Sequence, residues 1–372
     1  MQLSRIDFRM LPIIGCLMLI SLCIISSMTG EMGEWEEVRF WTPLVKTQLR
    51  WCVLGWMVFL AAAYFDYRRL RDWGLFLYIA ILLLLIGLFF VSPIQNVHRW
   101  YRIPYLASVQ PSEQAKLIVV IVLSWFLERK GSQTGTVGAA LQMGLIAGIP
   151  FLLILKQPDL GTALVLYPIS LALGYFGGIH KGFIRVGVAC GLIALSIVAC
   201  FFLGIFSHEK MRPAFTCFMK EYQYERLNPE TYHQKAAQTA IAVGGLTGTG
   251  WRSSEFSGRK WLPYAHTDSV FAAFGEEFGF IGLIFLLFLF YALIYFSFQV
   301  AAVARDPFGR LLAVGLSAYL AMHVLVNCAM MCALLPITGV PLILVTYGGS
   351  SLLTTMAALG LLQSIYSRRF MF

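Results

Sequence analysis

The chain has 372 residues, of which 59% are hydrophobic and only 13% charged, and its mean hydropathy of +0.74 excludes a soluble globular domain. The net charge of +9 suits an anionic inner leaflet and gives no case for nucleic acid, because most of it follows membrane topology. Eight cysteines show neither a zinc spacing nor a disulfide framework.

An all-α polytopic membrane protein is the fold class that follows, read as one transmembrane domain over residues 1–372. About 20 helical residues cross the hydrocarbon, and about ten stretches qualify: Met10 to Ser27, Trp51 to Phe65, Trp73 to Val91, Gln114 to Leu127, Val137 to Leu155, Thr162 to Gly178, Phe183 to Phe206, Phe271 to Ala304, Leu311 to Leu334 and Leu342 to Tyr366. Cytoplasmic loops are enriched in Lys and Arg. With the N-terminus inside, the inner segments hold 13 basic residues and the short outer loops six, so both termini are expected in the cytoplasm. The first span has a basic start but no A-x-A-like site after SSMTG, which makes it an uncleaved anchor.

In chain order, the first outer loop, Glu31 to Arg50, carries Trp35 and Trp41 and reads as an interfacial belt. The second interleaves His98, Arg99 and Arg102 with Trp100, Tyr101 and Tyr105. The fourth span then opens with Pro111, Ser112, Glu113 and Lys116, where Ser112 is expected as the N-cap. Glu113 and Lys116 at i, i+3 are either a snorkelling surface pair or a buried cation, with its partner, facing a phosphate.

The third outer loop is KQPDLG, Lys156 to Gly161, with Asp159 placed to cap the sixth span. Residues 207–267 form the long extracellular loop between the seventh and eighth spans. Within it, Tyr232 to Leu246 has the spacing of an amphipathic helix. The following GGLTGTGW has glycines but no preceding strand and no G-K-[ST], so a phosphate loop is rejected for a flexible turn or close-packed backbone.

WLPYAHTDSVFAAFGEEFG, Trp261 to Gly279, is the junction of loop and eighth span. Asp268 there is either a helix cap or a working acid. Glu276 and Glu277 lie inside the apolar run, where an ionised group must face protein or water. Asp268 and Glu276 are eight residues apart, which puts them on one helix face about 12 Å apart. In the fifth outer loop, LPITGVP leads into LILVTYGGSSLL, whose prolines and glycines break helices around a cavity at the outer leaflet.

Taken together, HRW with QPSEQAKL, KQPDLGTAL, GGLTGTGW, LPYAHTDSVFAAFGEEFG and LPITGVPLILVTYGGSSLL resemble the SEDS family of shape, elongation, division and sporulation proteins, from about Asn96 to the C-terminus. KQPDLGT and TGVP look like its RodA branch. Two departures stand out: Ser269 replaces the family's usual aromatic after the acid, and the EYQYERLNPETYHQ segment is shorter than usual and lacks the glycine commonly preceding the Tyr-His pair.

The resemblance implies a peptidoglycan glycosyltransferase that polymerises lipid II at the outer face of the bacterial cytoplasmic membrane, partnered by a class B penicillin-binding protein within an elongation complex. It implies Asp268 as the catalytic base, with coordination of a divalent cation, Mg or Mn, as a second role for that residue. Arg99 and Lys116 would meet the diphosphate, Glu113 would orient Lys116, and Trp100 would stack on a sugar. Lys156, Asp159 and Glu276 would line the cavity. Two rival classes stay open on the residues alone: a flippase for lipid-linked precursors and a non-catalytic scaffold for a transpeptidase.

Overall fold

The computed structural model describes residues 6–29, 40–91, 99–103, 107–217 and 221–369 of the chain. It is helical almost throughout. The long helices are α1 (Met10–Thr29), α2 (Pro43–Tyr64), α3 (Leu70–Gly87), α4 (Pro111–Lys130), α5 (Val137–Lys156), α6 (Leu160–Phe176) and α7 (Lys181–Phe202), then, after the long loop, α12 (Val270–Val303), α13 (Pro307–Met331) and α14 (Gly349–Ser367). The loop itself holds α8 (His208–Thr216), α9 (Glu221–Glu225), α10 (Tyr232–Gly244) and α11 (Glu255–Gly258). The expected all-helical class holds; among the described residues the helices are joined by one short antiparallel ribbon, β1 (Tyr101–Ile103) with β2 (Ala107–Val109).

Helix starts follow local chemistry. Thr42 caps α2 ahead of Pro43, Asp306 caps α13 ahead of Pro307, and Asp159 caps α6 by accepting from the Thr162 amide at 3.3 Å. Pro111 starts α4, but the cap residue is Gln110, so Ser112 is not the N-cap. The second expected span begins earlier than Trp51, because Lys46 and Arg50 sit within the first turns of α2 and masked its apolar stretch. The last span begins later than Leu342. Thr346 Oγ1 accepts from the Leu342 amide at 2.9 Å and Leu344 has φ +63°, so residues 342–348 are turns, and α14 starts at Gly349.

Seven of the described helical stretches, Met10–Thr29, Pro43–Tyr64, Tyr67–Phe90, Val137–Lys156, Lys181–Phe202, Val270–Val303 and Pro307–Met331, are long and apolar enough to cross a membrane. The protein is embedded in one. α13 is the central post, with Phe308, Leu312, Leu316, Tyr319 and Leu320 fully buried against α4, α6, α12 and α14. α7 shows the opposite pattern, exposing Val186, Leu192, Ile193 and Leu195, an apolar band that only lipid or another protein solvates well.

The glycine-rich stretch after α10 is close-packed backbone. α12 breaks at Gly279, where φ is +64°, and the loop fills the break. The Thr249 and Gly250 amides donate to the Glu276 and Glu277 carbonyls at 2.9 and 3.0 Å, and the Phe280 and Ile281 amides donate back to Gly245 and Leu246 at 2.9 and 3.1 Å. Every backbone group freed by the kink thus named has a partner, which is what backbone at membrane depth requires.

Candidate active site

Asp268 lies in a turn immediately before α12. The cap residue of that helix is Ser269, which makes no side-chain cap bond, so Asp268 is not spent on the helix terminus. Its backbone is fixed from α13: Asn327 Nδ2 donates to the Asp268 carbonyl at 3.0 Å and to the Val340 carbonyl at 2.7 Å. The backbone that carries the carboxylate is therefore held in place.

The segment Thr338–Val340 is the strap against which this acid sits. Gly339 has φ +82°, and a Cβ there would lie 3.3 Å from Asp268 Oδ2. On its other side Gly161 packs so closely that a Cβ would meet the Thr338 carbonyl at 2.9 Å. KQPDLG and LPITGVP are thereby brought against the acid-bearing turn.

Asp159, the α6 cap, is buried and also accepts from Gln110 Nε2 at 2.9 Å, Ser112 Oγ at 2.8 Å and Thr162 Oγ1 at 2.9 Å. Burial pushes its carboxyl upward, but the Arg99 charge and the hydrogen bonds from Ser112 and Thr162 outweigh that and hold it below the usual carboxylate range. Arg99 itself docks on the turn before α6, donating from Nε to the Gln157 carbonyl at 3.2 Å and from Nη2 to the Pro158 carbonyl.

Asp268 responds oppositely. Burial raises its carboxyl to about 6, the charges of Arg226 and Arg99 pull it down, and Asp159 pushes it up. Those three groups share its electrostatic environment. Arg226, from the long loop, also donates to the Thr338 carbonyl at 3.3 Å. No cue in the sequence singled it out, since it stands in a loop without periodicity. Asn327 and His323, polar groups four residues apart inside an apolar span, were a legible signal of an inward polar face.

The other expected residues separate into two groups. Arg99, on the turn before α6, and Trp100 are half-buried, and Lys156 is exposed at the end of α5. Lys116 is elsewhere: it is 1% exposed, 2.8 Å from Glu113 Oε1 and 2.8 Å from His323 Nε2, and lies over the Tyr319 ring. It is a buried cation with Glu113 orienting it, and neither a snorkelling surface pair nor a group open to a phosphate in this conformation. Glu276 is fully buried and accepts from the Phe256 and Ser257 amides at 2.7 and 2.9 Å and from Ser257 Oγ at 2.5 Å, so it organises α11. The shared helix face with Asp268 does not form, because α12 starts only at Val270. Glu277 joins α1 to the loop through Ser27 and the Arg252 amide. His98, Tyr105 and Trp35 lie outside the described residues.

No group of three or more metal-ligating side chains occurs among the described residues. Asp268 and Asp159 put two carboxylates in an electrostatic setting shared with the Arg226 and Arg99 guanidinium groups.

Fold and site define a membrane-embedded helical protein with a single half-buried acid flanked by cations and gripped by three chain segments. The family profile FTSW_RODA_SPOVE, described as "Cell cycle protein", matches residues 1–369, and the chain belongs to that family. Among its relatives is the peptidoglycan glycosyltransferase MrdB of Escherichia coli K12, 32% identical over 98% of this chain and 94% of that one. Among solved structures it is similar to the rod shape determining protein RodA of Thermus thermophilus, at 26% identity and a TM-score of 0.71 over 98% of both chains. It is also similar to a chain from a peptidoglycan synthase complex described for its coordination of polymerization and crosslinking, at 26% identity and a TM-score of 0.77 over 99% of both.

Proposed function

We propose that this protein is a peptidoglycan glycosyltransferase that polymerises lipid II at the outer face of the cytoplasmic membrane, in cell-wall elongation and shape maintenance. The observation that carries the reading is Asp268: an acid that caps no helix, raised by burial to about 6 and faced by the charges of Arg226 and Arg99. A base is most effective when it ionises near the working pH.

In this reaction the 4-hydroxyl of an incoming lipid-linked disaccharide attacks the anomeric carbon of the growing strand. The new carbon–oxygen bond forms as the bond to the diphosphate oxygen breaks, and undecaprenyl diphosphate leaves with the electron pair. Asp268 takes the hydroxyl proton. Arg99 and Arg226 stabilise the charge that develops on the diphosphate, Arg99 through a guanidinium charge that two carbonyls hold in place. Trp100 and Lys156 border the sugar path. The chain crosses the membrane ten times with both termini in the cytoplasm, as the positive-inside pattern supports. Its partner is a class B penicillin-binding protein, a reading supported by the similarity to a chain of a peptidoglycan synthase complex.

The deciding experiment gives purified protein, with and without such a partner, fluorescent lipid II. Glycan polymer is expected. A carrier would move the lipid across a vesicle bilayer and make no polymer.

A further inference from the structure

We propose that His233 is a positioning residue for Asp268, acting through Ser269, so that the first turn of α10 sets the direction of the catalytic carboxylate. This rests on the reading of Asp268 as the base.

Three consecutive residues of α10 reach three different elements. Tyr232 OH donates to the Trp261 carbonyl at 2.7 Å, His233 Nε2 meets Ser269 Oγ at 2.7 Å, and Gln234 Nε2 donates to the Met330 carbonyl of α13 at 2.7 Å. Trp261 and Ser269 bracket the turn that carries Asp268. Tyr264 closes that turn from within, its carbonyl accepting from the Thr267 and Ser269 amides at 3.0 and 3.1 Å.

The direction of the His233 bond follows from proton counting. A serine hydroxyl has one proton, and Ser269 Oγ lies 2.9 Å from the Pro263 carbonyl, which can only accept. Ser269 therefore accepts from His233, whose Nε2 carries the hydrogen. Ser269 is fully buried, and its ring partner His233 packs 5.9 Å from the Tyr264 ring. Because Ser269 follows Asp268 directly, anchoring its side chain holds the backbone from which the carboxylate projects, and Asn327 holds the Asp268 carbonyl from α13. A displacement of about 1 Å at a reacting group can cost about 100-fold in rate.

The groups that set the ionisation of Asp268 are Arg226, Arg99 and Asp159. His266 and His233 lie on the adjoining turn and helix, and burial lowers both imidazoles below their ordinary value. Loosening the turn admits water to Asp268 and relieves the burial that raises it.

The test uses the full-length purified enzyme with lipid II, comparing His233→Phe, His233→Gln and Ser269→Ala, with Asp268→Asn alongside. His233→Phe keeps a ring against Tyr264 and removes the donor; His233→Gln restores an N–H. We expect His233→Phe and Ser269→Ala each to lower kcat about 10- to 100-fold at nearly constant KM, the double variant to be no worse than either, and Gln to recover most of the loss. The acid limb of the kcat profile should move to lower pH in the Phe and Ala variants. Folded His233→Phe and Ser269→Ala enzymes with wild-type kcat and an unmoved limb, beside an inactive Asp268→Asn, would overturn the proposal. So would a loss that tracks melting temperature and is not rescued by Gln; should His233→Phe not fold, Ser269→Ala decides alone. An active Asp268→Asn enzyme would instead remove the base reading beneath it.

Discussion

Lys116 and His323 meet at 2.8 Å, Nζ to Nε2, with both side chains enclosed between α4 and α13. An ammonium has only donors to offer, so His323 accepts at Nε2 and keeps its hydrogen on Nδ1, which faces the Pro341 carbonyl at 3.5 Å, long for a hydrogen bond. Glu113 supplies the countercharge. The trio ties the start of α4 to α13, and its weight is structural before it is chemical.

Lys116→Met should therefore unfold the protein more readily rather than yield a stable, inactive enzyme. It strands Glu113, which already has an unpartnered buried oxygen, and removing one partner of a buried pair costs about 3 to 5 kcal/mol. Thermal melts in detergent check this, with Lys116→Met/Glu113→Gln recovering much of the loss because the double change removes the charge as well. A Lys116→Met protein that melts like wild type would mean the pair is solvated in the membrane.

Gly279→Ala should undo the docking of the glycine loop. The backbone there has φ +64°, and a Cβ would run into the Gly248 amide nitrogen and the Leu246 carbonyl. Limited proteolysis of the 244–250 stretch reads the outcome: faster cleavage and a lower melting temperature are expected, and unchanged protection would contradict the packing.

Cys217, exposed at the end of α8, reports orientation. With both termini in the cytoplasm it lies outside, so an impermeant maleimide should label it in spheroplasts without permeabilisation. Labelling only after permeabilisation would invert the topology and move the site to the wrong face for lipid II polymerisation.

The raised carboxyl of Asp268 makes a prediction about stability with its sign fixed. Its folded value is about 6, above the ordinary carboxylate value of 3.8. Between those values the folded state holds a proton that the unfolded state has lost, so this group's contribution to stability falls as pH rises through the window. At neutral pH the ionised acid is a net cost, at most about 3 kcal/mol. Asp268→Asn should melt higher than wild type at pH 7, and the difference should shrink toward pH 4. Equal melting curves at both pH values would mean that the acid is well solvated.

Much of this architecture was legible in the residues. The apolar stretches coincide with the long helices because hydrophobic length alone dictates a span, and the Asp159 cap followed from its place in a Pro-containing turn. Boundaries failed where polar residues belong to a helix, as with Lys46 and Arg50 in α2, and where an apolar run is held in turns by side-chain bonds, as with Thr346 before α14. The site was half legible. Asp268 stood out as an acid at a span mouth, but Glu276 could not be separated from it without knowing that the helix begins after the acid and that α11 claims the glutamate. Arg226 reaches the site from the long loop, a tertiary placement that spacing along the chain does not encode.

The central claim, that Asp268 is the base of a glycan polymerase, is tested most directly by glycan formation from lipid II with purified wild-type and Asp268→Asn protein across pH. The wild type should polymerise, with activity rising through a pH of about 6, and Asp268→Asn should fall by about 100- to 10,000-fold while staying folded. Polymer from Asp268→Asn at a rate near wild type would contradict the account.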